Sequence, residues 1–155
     1  MLAAVVCAMA ACSPSSPAQP QVRAGAVYDV IVRWFAQAHA DDPDPLPVFI
    51  EPRGEGATIA LDVQAELVKS TKDIATVRFI DSRAEALVTN DDGTVVVADG
   101  GILIRLSPVV EVGNTVRLDV DVHDHDEVFR TMQFDLKLTG EQWVIEAPPV
   151  EVPSG

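Results

Sequence analysis

The sequence predicts an α+β domain: one or two N-terminal helices packed on a curved, mostly antiparallel sheet with a C-terminal β-meander. Three observations lead there. Helical spacing of apolar residues occurs only in the first half of the chain, over residues 25–39 and 58–69. Period-two alternation dominates beyond residue 95, and glycine-bearing turns separate its runs. Helices first and strands later is the pattern of an α+β fold, with helices on one face of the sheet. Of the 155 residues 48% are hydrophobic, enough for the core of one ordinary domain.

The elements follow in order. Over residues 25–39, Val27, Tyr28, Val30, Ile31, Trp34, Phe35 and Ala38 form one broad apolar face, while Asp29, Arg33 and Gln37 fall opposite. The prolines of Asp42-Pro43-Asp44-Pro45 end this helix, because the residue before proline avoids helical geometry and proline lacks a donor. Val48 to Ile50 reads as a short strand, and Pro52 to Gly56 as a loop. Residues 58–69 carry two patterns. Ile59, Leu61, Val63, Ala65 and Leu67 alternate as in a strand, whereas Ile59, Val63 and Leu67 stack at helical spacing. The intervening Ala, Gln, Glu and Lys favour helix. Ala75 to Ile80 is a strand, and Ser82 to Leu87 a helical turn.

The second half is strand-rich. Val95 to Val97 is followed by a turn at Asp99-Gly100-Gly101 and then Ile102 to Leu106, and Val109 to Val112 leads to a turn at Gly113-Asn114. Val116, Leu118, Val120 and Val122 alternate with Arg117, Asp119, Asp121 and His123, which predicts a strand with one wet face. After a polar stretch at 123–127, Val128, Met132, Phe134, Leu136 and Leu138 resume the alternation, broken by Arg130. Gly140-Glu141 turns into Trp143 to Ile145. Over that one strand, Thr139 to Ile145 resembles the closing strand of small secreted domains such as the cystatin-like and nuclear-transport-factor-like ones. From Pro148 the proline-rich tail is expected to fray.

The N-terminus carries the strongest signal. Leu2 to Ala11 is apolar, mostly small and uncharged. It is too short to span a bilayer, which takes about 20 residues of helix, and has the length of a signal-peptide core. It ends in Met9-Ala10-Ala11-Cys12, which resembles the lipobox of bacterial lipoprotein precursors. The resemblance implies diacylglycerol transfer to the Cys12 thiol and cleavage before Cys12. Cys7 fits worse, since Val5 and Val6 precede it and apolar residues follow. Met9 stands where leucine is commoner. No Lys or Arg precedes Arg23, so the basic segment usual before such a core is missing, and the expected start lies upstream of Met1. Ser13 to Gln21 is Pro-, Ser- and Gln-rich, the composition of an extended spacer. The expected organisation is a signal peptide over 1–11, a lipidated cysteine and tether over 12–22, one domain over 23–147 and a flexible tail over 148–155. The remainder resembles small uncharacterised actinobacterial lipoproteins with an early helix, a valine-rich sheet and a late tryptophan.

Charge narrows the partners. The formal net charge is −13. Such a surface repels phosphate backbones and excludes nucleic acid as an expected partner. It also repels anionic headgroups, so attachment to the cell membrane, on its extracytoplasmic face, is assigned to the lipid on Cys12. Both cysteines, Cys7 and Cys12, precede the domain, which therefore has no disulfide framework or thiol nucleophile.

The most suggestive chemistry lies in the cluster His123-Asp124-His125-Asp126-Glu127, preceded by Asp119 and Asp121. Imidazole and carboxylate ligate zinc-like ions, and Asp119, Asp121 and His123 share a strand face. The cluster lacks an HExxH pattern and the glycine and closing glutamate of an EF-hand loop. The weaker demand on these residues is that of a solvated hairpin tip. His123, His125, Asp119 and Asp121 therefore stand as weak metal candidates, and no cofactor or catalytic residue is assigned. Ser70, Ser82 and Ser107 lack a GxSxG context, and Gly100-Gly101 is an isolated turn. His39 is expected to cap the first helix, and Trp34, Phe35, Phe134 and Trp143 to build core.

Three functions fit. The first is a lipid-anchored extracytoplasmic domain that binds a protein or small molecule, or serves the envelope without catalysis. The second is a hydrolase, metal-dependent or carboxylate-based, built on the His123–Glu127 cluster; it requires those side chains to converge in a concave site. The third is a structural subunit of an envelope complex, which requires an exposed apolar patch or an open strand edge.

Overall fold

The computed structural model describes residues 24–39, 44–124 and 129–153. The segments expected to be leader and tether, with Cys12, lie outside the described residues, as do His125, Asp126, Glu127 and Val128.

The fold is α+β. Helix α1 (Ala24–Gln37) is followed by strand β1 (Leu46–Pro52), helix α2 (Leu61–Thr71) and strand β2 (Ala75–Phe79). A short hairpin, β3 (Leu87–Thr89) and β4 (Val95–Val97), precedes β5 (Ile102–Leu106) and β6 (Glu111–Val112). The chain closes with β7 (Thr115–Asp124), β8 (Arg130–Thr139), β9 (Gln142–Ile145) and β10 (Val150–Val152). The main sheet runs β10-β8-β7-β5-β1-β2, with β6 beside β7 and β9 beside β8. Pairing is parallel where β1 meets β2 and β5, and antiparallel in the other pairs of this sheet. The parallel pair β1–β2 follows from its connection, since α2 supplies the crossover that a parallel pair needs.

Residues 58–69, legible either way, are helical from Leu61 onwards. Ile59 precedes the helix and packs into the core, where the Gln64 side chain donates to its carbonyl at 2.8 Å. The predicted strand at 48–50 extends to Leu46 and Pro52. Residues 83–85 form the expected helical turn, held by a capping box in which Ser82 and Glu85 each take up a backbone N–H of the other's end. The tail is the main departure. Val150–Val152, expected to fray, pair with Thr131–Gln133 of β8. Valines alternating about Glu151 suit a sheet edge, and the free edge of β8 supplies the ladder.

One face of the sheet packs against both helices. Val27, Ile31, Val32, Phe35 and Leu67 meet Val48, Ile50, Ile104, Val120 and Phe134, all buried. Trp34 packs edge-on against Phe35 at 4.9 Å and against Phe134 at 5.4 Å, so these aromatics are core. His39 Nδ1 lies 3.0 Å from the Phe35 carbonyl, the capping position anticipated for it. A smaller cluster covers part of the opposite face, where Ile80, Ala86 and Val97 of the hairpin lobe pack on Phe49 and Leu103. No helix among the described residues is long and apolar enough to cross a membrane.

Candidate functional site

The sheet face opposite the helices holds the charged residues, and the strand register arranges them in rungs. Phe49 pairs with Leu103, and Leu103 with His123. Two residues along each strand, Glu51 pairs with Arg105, Arg105 with Asp121, and Asp121 with Thr131. Next come Asp119 with Gln133, then Arg117 with Asp135. Side chains alternate faces along a strand, so these rungs lie on one face. The face passes from apolar beneath the hairpin lobe to charged beyond it.

Asp121 is the centre of the charged part and is 7% exposed. Its Oδ1 accepts from the Thr131 hydroxyl at 2.8 Å. Its Oδ2 sits 3.2 Å from Arg105 Nη1 and 3.1 Å from Arg53 Nε. Arg105 Nε lies 2.9 Å from Glu51 Oε2, an ion pair outside hydrogen-bond geometry. Arg53 also reaches Asp119 at 3.6 Å, and Gln133 donates to Asp119 at 3.1 Å. Neighbouring chains of the network thus consume each carboxylate, and the buried charge is compensated, as a low-dielectric site demands.

Asp119, Asp121 and His123 do share a face, but the two aspartates are engaged by Arg53, Arg105, Thr131 and Gln133. Among the described residues, no group of three His, Cys, Asp or Glu side chains is placed to hold a metal ion. His123 is not at a solvated hairpin tip. It lies within β7, 6% exposed, with its ring 5.1 Å from that of Phe129 and no hydrogen bond to Nδ1. Arg83 stacks over Phe129 from the lobe, at 5.2 Å. Asp124 turns to the other face and pairs with Arg130 at 2.6 Å. His125 lies outside the described residues.

The serines have structural partners. Ser70 donates to Asp29 at 2.6 Å, tying α2 to α1. Ser82 caps its helical turn. Ser107 donates to the Asp119 carbonyl at 3.0 Å, while its own carbonyl accepts from Tyr28 at 3.0 Å. None stands beside an imidazole in these contacts, as a serine nucleophile requires.

One open groove of about 440 Å³ lies at the far end of the sheet, between β6, β7 and β8. Val110 and Val112 form an apolar rim, and Arg117, Asp135 and Glu146 contribute charge. Arg117 and Asp135 satisfy each other through two hydrogen bonds of 2.6 and 3.1 Å. That bond holds the Asp135 carboxyl below the usual range, and it raises the Arg117 guanidinium. The network around Asp121 was not visible in the sequence, where Glu51, Arg53 and Arg105 carried no motif. A lone charge inside an apolar strand, as at Arg105, was the available signal.

Comparison with family models, with curated proteins and with solved structures finds no match for the chain.

Proposed function

We propose that the protein is a lipid-anchored, extracytoplasmic domain that works by binding or as an envelope accessory, without catalysis. The observation that carries this reading is the run Leu2–Ala11 ending in Met9-Ala10-Ala11-Cys12 and followed by the Ser13–Gln21 spacer. The first described helix starts at Ala24, so the spacer falls between the proposed acyl site and the domain. The charged face supports the non-catalytic part. Its acids are ion-paired or hydrogen-bonded to neighbours rather than directed at a vacant position, whereas acid–base catalysis needs groups aimed at substrate.

The test is intact mass and membrane fractionation in the bacterial host, beside Cys12→Ala. The expected result is a membrane-bound chain that starts at Cys12 and carries acyl mass, with both properties lost in the variant. A wild-type chain that fractionates away from membrane, unacylated and still carrying Met1, overturns the reading.

A second reading, a structural subunit of an envelope complex, is favoured by the β6 rim. Val110 and Val112 are 65% and 74% exposed, and among the described residues β6 pairs with β7 alone. An apolar rim on a sheet edge is a surface that another chain can cover. Val112→Glu is expected to release the protein from such a complex while leaving it anchored, read by native sedimentation of detergent extracts.

A further inference from the structure

The exposed side of α2 carries an apolar stripe among its charged residues. Leu61 is 81% exposed and Val68 43% exposed, and Ala65 lies exposed between them at helical spacing. The buried side of the helix is marked by Leu67 and Thr71, so this stripe lies on an exposed flank of the helix. Lys69 and Lys72 accompany it, two of the three lysines in the chain. Asp62 and Glu66 oppose them, so this helix is locally near neutral in a molecule of net charge −13. The chain enters the fold beside the same helix. Gly25, second residue of α1, approaches Glu66 of α2 so closely that a β-carbon there would stand 2.9 Å from Glu66 Oε2.

We propose that the outer face of α2 rests on the phospholipid surface to which Cys12 is tethered, with Leu61 and Val68 entering the interface and Lys69 and Lys72 meeting the headgroups. This rests on the anchored reading above. Residues 13–23 allow a reach of at most about 40 Å, so the tether permits this face to meet the lipid. Tethering raises the local concentration to the order of millimolar, at which two apolar side chains and two lysines suffice for seating. The rest of the acidic surface is repelled by anionic headgroups, which leaves the neutral helix face as the one of least repulsion.

The test uses the chain starting at Cys12, which contains every described element and no other cysteine. Its Cys12 thiol is coupled to maleimide lipid in phosphatidylcholine–phosphatidylglycerol vesicles whose acyl chains carry bromine. Tryptophan replaces Leu61 in one variant and Val112, at the β6 groove, in another. Above the signal of Trp34 and Trp143, the tryptophan of Leu61→Trp is expected to lose about half its emission to bromine and that of Val112→Trp little, because interfacial helices bury their apolar face to acyl depth. Adding Lys69→Glu and Lys72→Glu to Leu61→Trp is expected to restore the emission. Equal quenching at both positions, or none at position 61, overturns the proposal. So does a chain that sediments as a dimer and becomes monomeric with Leu61→Glu, since the face is then an interface between copies. Because the tether is installed chemically, a Cys12 left unacylated in cells defeats the anchored reading and leaves the vesicle result intact.

Discussion

Arg105 and Asp121 face each other across β5 and β7, with Nη1 3.2 Å from Oδ2 and the aspartate side chain 10% exposed. Removing the shared partner of a buried network leaves its cations under-compensated, with Glu51 remaining for Arg105 and Asp119 for Arg53. Asp121→Asn is therefore expected to cost about 3–5 kcal/mol, because Arg105 and Arg53 both lose their shared anion. Urea unfolding measures it. A cost under about 1 kcal/mol would mean that water reaches the network freely.

Gly101 and Gly25 are expected to respond to alanine with opposite signs. A β-carbon at Gly101 would clash with the Pro47 carbonyl oxygen, and a backbone atom of a paired strand cannot step aside. Gly101→Ala is expected to destabilise by about 1–3 kcal/mol, the range of overpacking. At Gly25 the obstacle is the end of the flexible Glu66 side chain, and the position is helical. Gly25→Ala is expected to gain about 0.5 kcal/mol from helix propensity. Thermal unfolding of the two variants side by side checks both signs.

Tyr28 is the single tyrosine of the chain, and its phenol is raised by burial. A phenol raised in the folded state contributes stability that is complete below its unfolded value near 10 and is lost as pH climbs through the folded value. Folding should therefore weaken from about pH 10 upwards, with tyrosinate absorbance appearing later in the folded protein than in urea. Tyr28→Phe is expected to remove that alkaline slope and to cost about 1 kcal/mol at neutral pH, since the Ser107 carbonyl loses its donor.

Asp135 titrates in the other direction. Its hydrogen bond to Arg117 lowers the carboxyl in the folded state. The stability it contributes is present above the unfolded value near 3.9 and is lost as pH falls through the folded value. Both side chains are well exposed, at 42% and 66%, so solvent screening limits the effect to about 0–1 kcal/mol. Asp135→Asn should flatten the acid limb of the stability profile slightly at low salt and not at all in molar salt.

Local pattern made much of this molecule legible. Helix α1 followed from its apolar spacing, β7 and β8 from their alternation, and the turns from Gly113 and Gly140, both of which hold positive φ. The apolar face of α1 was displaced in detail, since Val32 and Ala36 are buried while Ala38 is exposed. That choice belongs to the sheet beneath the helix. Strand β10 was illegible for a similar reason, since three residues among prolines become a strand only beside the open edge of β8.

By itself the sequence determined the fold class and the acidity of the surface, and within β7 it separated Val116–Val122 from Arg117–His123, because a strand's period of two is a local property. Only the tertiary structure decided what those faces met. Glu51, Arg105, Asp121 and Thr131 lie far apart in sequence and become one rung through the order β1-β5-β7-β8 and its register. Register is set by pairings between distant segments, and a shift of one residue would have turned Asp121 into the helix-packed core.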